Sequence, residues 1–181
     1  MALTRRMFAQ LAASALLLRH LPALAQTPLT VAVGGSPGPN ITQRVVSAGA
    51  PADMLLLAVA PEKLVGLSSY DLSRQTAIPF HDDIRALPKL GRLAGRASTL
   101  SLEALLALKP DLVVDCGNAD ETWLSQARQV SAQTHIPWLL INGELRHTPE
   151  QLRAAGEALG VVSRTAMQAA LARRFIRSEE H

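Results

Sequence analysis

Between residues 101 and 160 the sequence alternates short, β-branched apolar runs with longer capped segments, and this alternation restricts the possible folds more than any other feature. Ser101 opens a helix over residues 101–108, and Lys109-Pro110 ends it because a proline ring disfavours helix in the residue before it. Residues 111–115 read as a strand. Asp120 caps a helix to about residue 133, residues 137–141 read as a strand, and Thr148-Pro149-Glu150-Gln151 reads as a capping box with an N-terminal proline. Gly160 stands where a left-handed residue would end that helix. Runs such as Leu112-Val113-Val114 are apolar at consecutive positions, the pattern of strands buried on both faces in a parallel sheet. The expected fold is therefore α/β, a doubly wound parallel sheet.

The rest of the chain fits the same plan. Residues 29–33 and 44–48 read as strands, residues 51–59 as a helix opening on Pro51, and residues 64–67 as a further short strand. Residues 68–97 lose periodicity and collect Pro79, Pro88, Gly91 and Gly95, so they read as a long loop of the kind that usually carries function. Residues 163–177 read as a last helix, with Ala166, Ala169, Ala170 and Phe175 on partly apolar faces. Ligands of doubly wound sheets sit beyond the carboxyl ends of the strands. Topology alone thus points to Gly49-Ala50, residues 68–71, residues 115–118 and Asn142-Gly143.

The first 25 residues read as an address. Thr4-Arg5-Arg6-Met7-Phe8 precedes an apolar run over residues 8–18 and then Ala23-Leu24-Ala25, which is the layout of an export signal cleaved after Ala25. An apolar run of that length falls short of the ~20 residues that span a bilayer. The arginine pair resembles the twin-arginine export motif, and the same residues also suit an ordinary secretory signal. Of the 18 Lys and Arg against 15 Asp and Glu, Arg5, Arg6 and Arg19 lie in this segment, so the remainder is formally neutral. Without a surviving basic excess no nucleic-acid partner is expected. The single cysteine, Cys116, excludes an internal disulfide and the usual structural zinc sites, and reads as a small buried residue or a capped thiol. No metal site is expected.

One stretch carries a family likeness. Arg44-Val45-Val46-Ser47, Glu62-Lys63-Leu64-Val65-Gly66-Leu67-Ser68-Ser69, Leu87-Pro88-Lys89-Leu90-Gly91 and above all the segment from Ser101-Leu102-Glu103-Ala104 to Leu112-Val113-Val114 resemble the periplasmic solute-binding proteins of ABC importers for iron chelates, haem and cobalamin. The resemblance runs from Arg44 to about Ala170, and it implies an N-terminal lobe over residues 26–162 followed by the start of the helix that leads to a second lobe, residues 163–181. It implies a Rossmann-like lobe, cut short of its partner. It also implies a non-enzymatic, monomeric periplasmic protein without a tightly bound cofactor, which carries an iron chelate to a permease of the inner membrane.

By the match to the helix-opening motif, Glu103 falls at the carboxylate that docks on permease arginines. The same residue is also accounted for as an acid favoured in a helix's first turn. Haem-binding relatives carry a ligating tyrosine just after the Leu-Gly of the Leu-Pro-Lys-Leu-Gly segment. Here Arg92 stands there, which makes haem the less expected ligand. Arg92 and Arg96 offer guanidinium forks for an anionic chelate or, equally, solvated surface charges. Tyr70, the only tyrosine, suits stacking or oxygen ligation as well as a plain rim position. Asn118 offers both a donor and an acceptor, or closes a turn on its own backbone. Trp123 reads as core or as a cleft wall, and His81, His135 and His147 as loop or surface residues.

Two rivals remain at this level. The run Gly34-Gly35-Ser36-Pro37-Gly38-Pro39 follows a strand like a phosphate loop, yet its prolines remove backbone donors and no Lys-Ser/Thr follows. No nucleophile elbow is present, so no enzyme is expected. The other rival is a one-lobe α/β protein with weak or no ligand binding, or a module that binds a protein partner.

Overall fold

The computed structural model describes residues 28–74, 80–95 and 98–178. The export segment with its cleavage position at Ala25, and Arg96, lie outside the described residues. The elements are β1 (Thr30–Val33), β2 (Val45–Ser47), α1 (Ala50–Val59), α2 (Asp82–Arg85), α3 (Leu102–Ala107), β3 (Leu112–Gly117), α4 (Glu121–Thr134), β4 (Trp138–Asn142), α5 (Thr148–Leu159) and α6 (Val162–Ser178).

Four strands form one sheet in the order β1-β4-β3-β2. β2, β3 and β4 run parallel, with Val46 opposite Val113 and Val114 opposite Leu139. β1 departs from the expected parallel sheet, since it pairs antiparallel with β4, Thr30 opposite Ile141 and Val33 opposite Trp138. Burial gives the reason. β2 is buried at every position and β3 at all but its last, whereas β1 alternates between exposed and half-buried, as an edge strand with one solvated face does.

Helices cover both faces, so the sheet is doubly wound. On one face Leu56 and Val59 of α1, Leu159 of α5 and Ala169 of α6 close over Leu112, Val114 and Ile141. On the other, Leu105 of α3 and Ala127 of α4 meet Val46, Val113, Trp138 and Leu140, joined by Leu93 and Ala94 of the long loop. Each full burial of such a side chain contributes roughly 1.5–3 kcal/mol.

Three local expectations change. Residues 64–67 do not add a strand. Leu64 makes a single bridge to Val45 at the sheet edge, and Leu67 makes another to Lys89 of the long loop. Between these bridges Gly66 lies so close to Pro88 that a Cβ would meet the Pro88 carbonyl at 2.7 Å, and the chain leaves β2 for this second partner. The capping box at Thr148 does not form. The Thr148 hydroxyl donates to the Leu145 carbonyl at 2.6 Å, and the Gln151 amide is buried, donating to the carbonyls of Asn142 and Glu144. On α6 only Ala169 of the four named apolar residues is buried, while Ala166, Ala170 and Phe175 face outward.

Helix starts elsewhere follow the sequence. Ser101 accepts from the Ala104 amide at 3.2 Å, and Asp120 accepts from the amides of Thr122 and Trp123. Ser101→Ala is expected to lower stability by about 1 kcal/mol, because α3 is short and loses the side-chain partner of one of its orphan amides. Urea unfolding measures it, and an unchanged midpoint contradicts the cap. Among the described residues no helix is long and apolar enough to cross a membrane.

Candidate functional site

The carboxyl ends of the three parallel strands define the rim. β3 delivers Gly117 and Asn118, β4 delivers Asn142 and Gly143, and the Gly143 amide donates to the Gly117 carbonyl at 2.8 Å. A Cβ on Gly143 would lie 3.0 Å from the Gly117 Cα, so the two loops touch through backbone alone. They border a hollow of about 410 Å³ lined by Gly117 to Asp120 and Asn142 to Glu144. A neighbouring hollow of about 610 Å³ is lined by Gly95, Asn118, Asp120, Thr122, Trp123, Gln126 and Gln129. Asn118 belongs to both.

Gln126 ties the long loop to this rim. Its amide nitrogen donates to the Leu93 carbonyl at 2.9 Å and its amide oxygen accepts from the Gly95 amide at 3.1 Å. Gly95 is left-handed at φ +88°, with the Trp123 ring 3.5 Å from where a Cβ would stand. Trp123 therefore combines both readings, packing on the core at its base and walling the hollow with its ring. The loop then closes on itself, the Arg92 carbonyl accepting from the amides of Thr99 and Leu100 and from the Ser98 hydroxyl.

The predicted residues distribute unevenly. Asn118 is exposed on the rim. Tyr70 is 36% exposed on the loop that leaves Leu67, and Arg92 is exposed at the base of its own loop, but neither lines the two hollows. Glu103 is fully exposed on the first turn of α3, where its own amide and the Ser101 hydroxyl hold its carboxyl below the usual range. His81 and His135 are exposed and His147 half-buried, accepting from the Arg146 guanidinium. Among the described residues no cluster of His, Cys, Asp and Glu could hold a metal ion.

One carboxylate, Asp53, escaped the sequence reading, while Asp115 fell within the 115–118 segment that topology named. Asp53, on the first turn of α1, is wholly buried beneath the rim and accepts from the Ser47 hydroxyl, from the amide and hydroxyl of Ser68 and from the Ser69 amide. The signal was available, since an acid among Leu55, Leu56 and Leu57 must find partners if the helix packs, and serines flank both neighbouring strand ends. Asp115 sits at the end of β3, 3% exposed, with one oxygen accepting from the Cys116 amide at 2.9 Å. Burial pushes its carboxyl up to about 6. Burial and that neighbouring carboxylate push the Cys116 thiol up to about 11, so Cys116 is a buried thiol rather than a nucleophile.

The phosphate-loop run lies elsewhere. β1 is antiparallel, so Gly34 follows Val33 beside Trp138, at the start of β4 and away from the rim.

The fold is that of one lobe of the solute-binding proteins of ABC transporters. It is similar to an ABC transporter solute binding protein from Sulfurospirillum deleyianum, with a TM-score of 0.65 and 21% identity over 76% of this chain and 43% of that one. It is similar too to a periplasmic solute binding protein from Veillonella parvula (TM-score 0.58, 21% identity, 77% of this chain and 41% of that one) and to a periplasmic heme binding protein from Pseudomonas aeruginosa (TM-score 0.52, 23% identity, 77% and 46%). The chain spans less than half the length of each of these proteins. No protein-family model matches the sequence, and no curated protein matches it either.

Proposed function

We propose that this chain is the N-terminal lobe of a periplasmic substrate-binding component of an ABC importer, carrying an iron chelate to a permease of the inner membrane. The observation that carries the reading is the rim itself. In a fold shared with one lobe of such proteins, the loops after β3 and β4 and the long loop at Gly95 border two open hollows with amide and indole walls. Asn118 and Trp123 would meet the chelate from this lobe, with Tyr70, Arg92 and Arg96 supplied by the flanking loops. Such a protein is exported and cleaved after Ala25, acts as a monomer, holds no resident cofactor and turns over no substrate.

Glu103 would then face permease arginines from the exposed first turn of α3. Glu103→Ala is expected to leave chelate binding unchanged and to lower uptake about fivefold, as removal of a rim charge slows and weakens docking. Uptake of a radio-iron chelate into cells, set beside a binding titration on the purified protein, tests this. Loss of chelate binding with unchanged uptake per bound complex would overturn the assignment.

A protein-interaction module is the second reading, and one observation favours it. Met167, Leu171 and Phe175 form an apolar stripe along α6 at 73%, 54% and 64% exposure. Failure of every ferric chelate to bind, together with concentration-dependent association in sedimentation, would favour the module.

A further inference from the structure

We propose that Asp53 is a positioning residue for the binding rim, its carboxylate setting the course of the Ser68–Ser69–Tyr70 segment and so the direction in which the only tyrosine points. The inference rests on the solute-binding reading for its purpose, although its geometry stands without it.

The carboxylate is saturated by one segment. Oδ1 accepts from the Ser68 amide and Oδ2 from the Ser69 amide, each at 2.8 Å, and Oδ2 also accepts from the Ser68 hydroxyl at 2.9 Å. The Ser47 hydroxyl, at the end of β2, completes the set on Oδ1. Two consecutive amides aimed at one anion form the concave backbone arrangement that fixes the planes of both peptides. A carboxylate is suited to this because it only accepts, through two oxygens with about four lone-pair positions.

The neighbouring residues turn that local bond set into a rigid mount. Leu67, immediately before, is held from the other side, its amide donating to the Pro88 carbonyl at 2.9 Å and its carbonyl accepting from the Leu90 amide at 2.7 Å. Leu72, just beyond, is buried in the core. Tyr70 is thus one of two exposed residues, with Asp71, between two anchors, and its backbone has little freedom left. Because Leu90 leads into the loop that starts at Gly91 and Arg92, the same mount reaches both flanking loops of the rim. Helix α1 therefore acts on the rim through Asp53 alone among its buried side chains, the others, Ala52, Leu56, Leu57 and Val59, being apolar.

Asp53→Asn keeps the volume and exchanges one acceptor for an amide with two hydrogens, which would then face donors. With 3-fluorotyrosine in place of Tyr70, the variant is expected to shift and broaden the single fluorine resonance. It should also speed exchange of the Ser68 and Ser69 amides by about tenfold to a hundredfold, the loss expected for hydrogen bonds to a charged acceptor. Ile136→Ala, in the core cluster on the other face of the sheet from Leu67, Leu72 and α1 and just before β4, away from the carboxyl ends of the strands, serves as a destabilised control and should leave both signals unchanged. If Asp53→Asn does not accumulate, Ser68→Ala, which removes one of the four donors, should show a smaller change of the same kind. An unchanged resonance and unchanged protection in the variant, or equal changes in the Ile136→Ala control, would overturn the proposal. Titration with a ferric trihydroxamate separates the two readings. A moved resonance in a protein whose wild type binds no chelate leaves the mount standing and removes the importer function.

Discussion

Gly156→Ala is expected to destabilise the protein by about 2 kcal/mol, although a helix interior normally gains ~1 kcal/mol from that exchange. Gly156 lies inside α5 at the crossing with α6. A Cβ there would stand 1.8 Å from the Thr165 Oγ1, 2.8 Å from its Cβ and 2.9 Å from its Cγ2. Thr165 is 1% exposed and cannot swing aside, and its hydroxyl is committed to the carbonyls of Val161 and Val162. The added methyl must therefore push α6 off α5, an overpacking cost of ~1–3 kcal/mol or somewhat more that exceeds the propensity gain. The double mutant sharpens the test. Thr165→Ala removes two of the three clashing atoms, so it should harm the wild type and partly rescue Gly156→Ala. Urea unfolding of the four proteins measures this, and a neutral or stabilising Gly156→Ala would show that the two helices do not cross here.

The second large effect concerns Asp115 and runs against the usual behaviour of a carboxylate. Its folded value of about 6 lies above the ordinary ~3.9, so between those limits the folded state binds more protons than the unfolded state. Stability therefore falls as pH rises through that window and levels off above it, where the buried charge costs about 3 kcal/mol. Asp115→Asn removes the charge and keeps an oxygen to accept from the Cys116 amide. Near pH 7.5 the variant is expected to be more stable than the wild type by about 3 kcal/mol, which at this size is a rise of roughly 6–12 °C in Tm. At pH 4 the two should coincide. A gain that persists undiminished at pH 4 would show that the effect is one of packing rather than of charge.

Much of the fold was legible because its signals are local. Ser101 and Asp120 cap, Gly160 turns left-handed at φ +70°, and the β-branched run at Leu112 lies in a fully buried strand, each for reasons contained within a few residues. The rim followed from the order of elements, and Asn118 stands on it, bordering both hollows. Thr148 and Gln151 show where local reasoning stops. They have the spacing of a capping box, but Gln151 is drawn inward by two carbonyls of the preceding turn, Asn142 and Glu144. Asp53 shows the converse, since an acid in an apolar helix signals a need for partners but not which ones, and these are serines fifteen and sixteen positions away.

By itself the sequence determined the α/β class, the parallel core of β2, β3 and β4, most helix limits and the edge of the sheet where a ligand would sit. These follow from periodicity and from caps, which act over one or two turns of chain. Only the tertiary structure decided the antiparallel course of β1, the buried partners of Asp53, the isolation of Asp115 and the contact of Gly156 with Thr165. Each of these depends on which distant segment arrives at a given place, and the free energy of such a meeting, whether hydrogen bond, desolvation or steric contact, is written in neither partner's own neighbourhood.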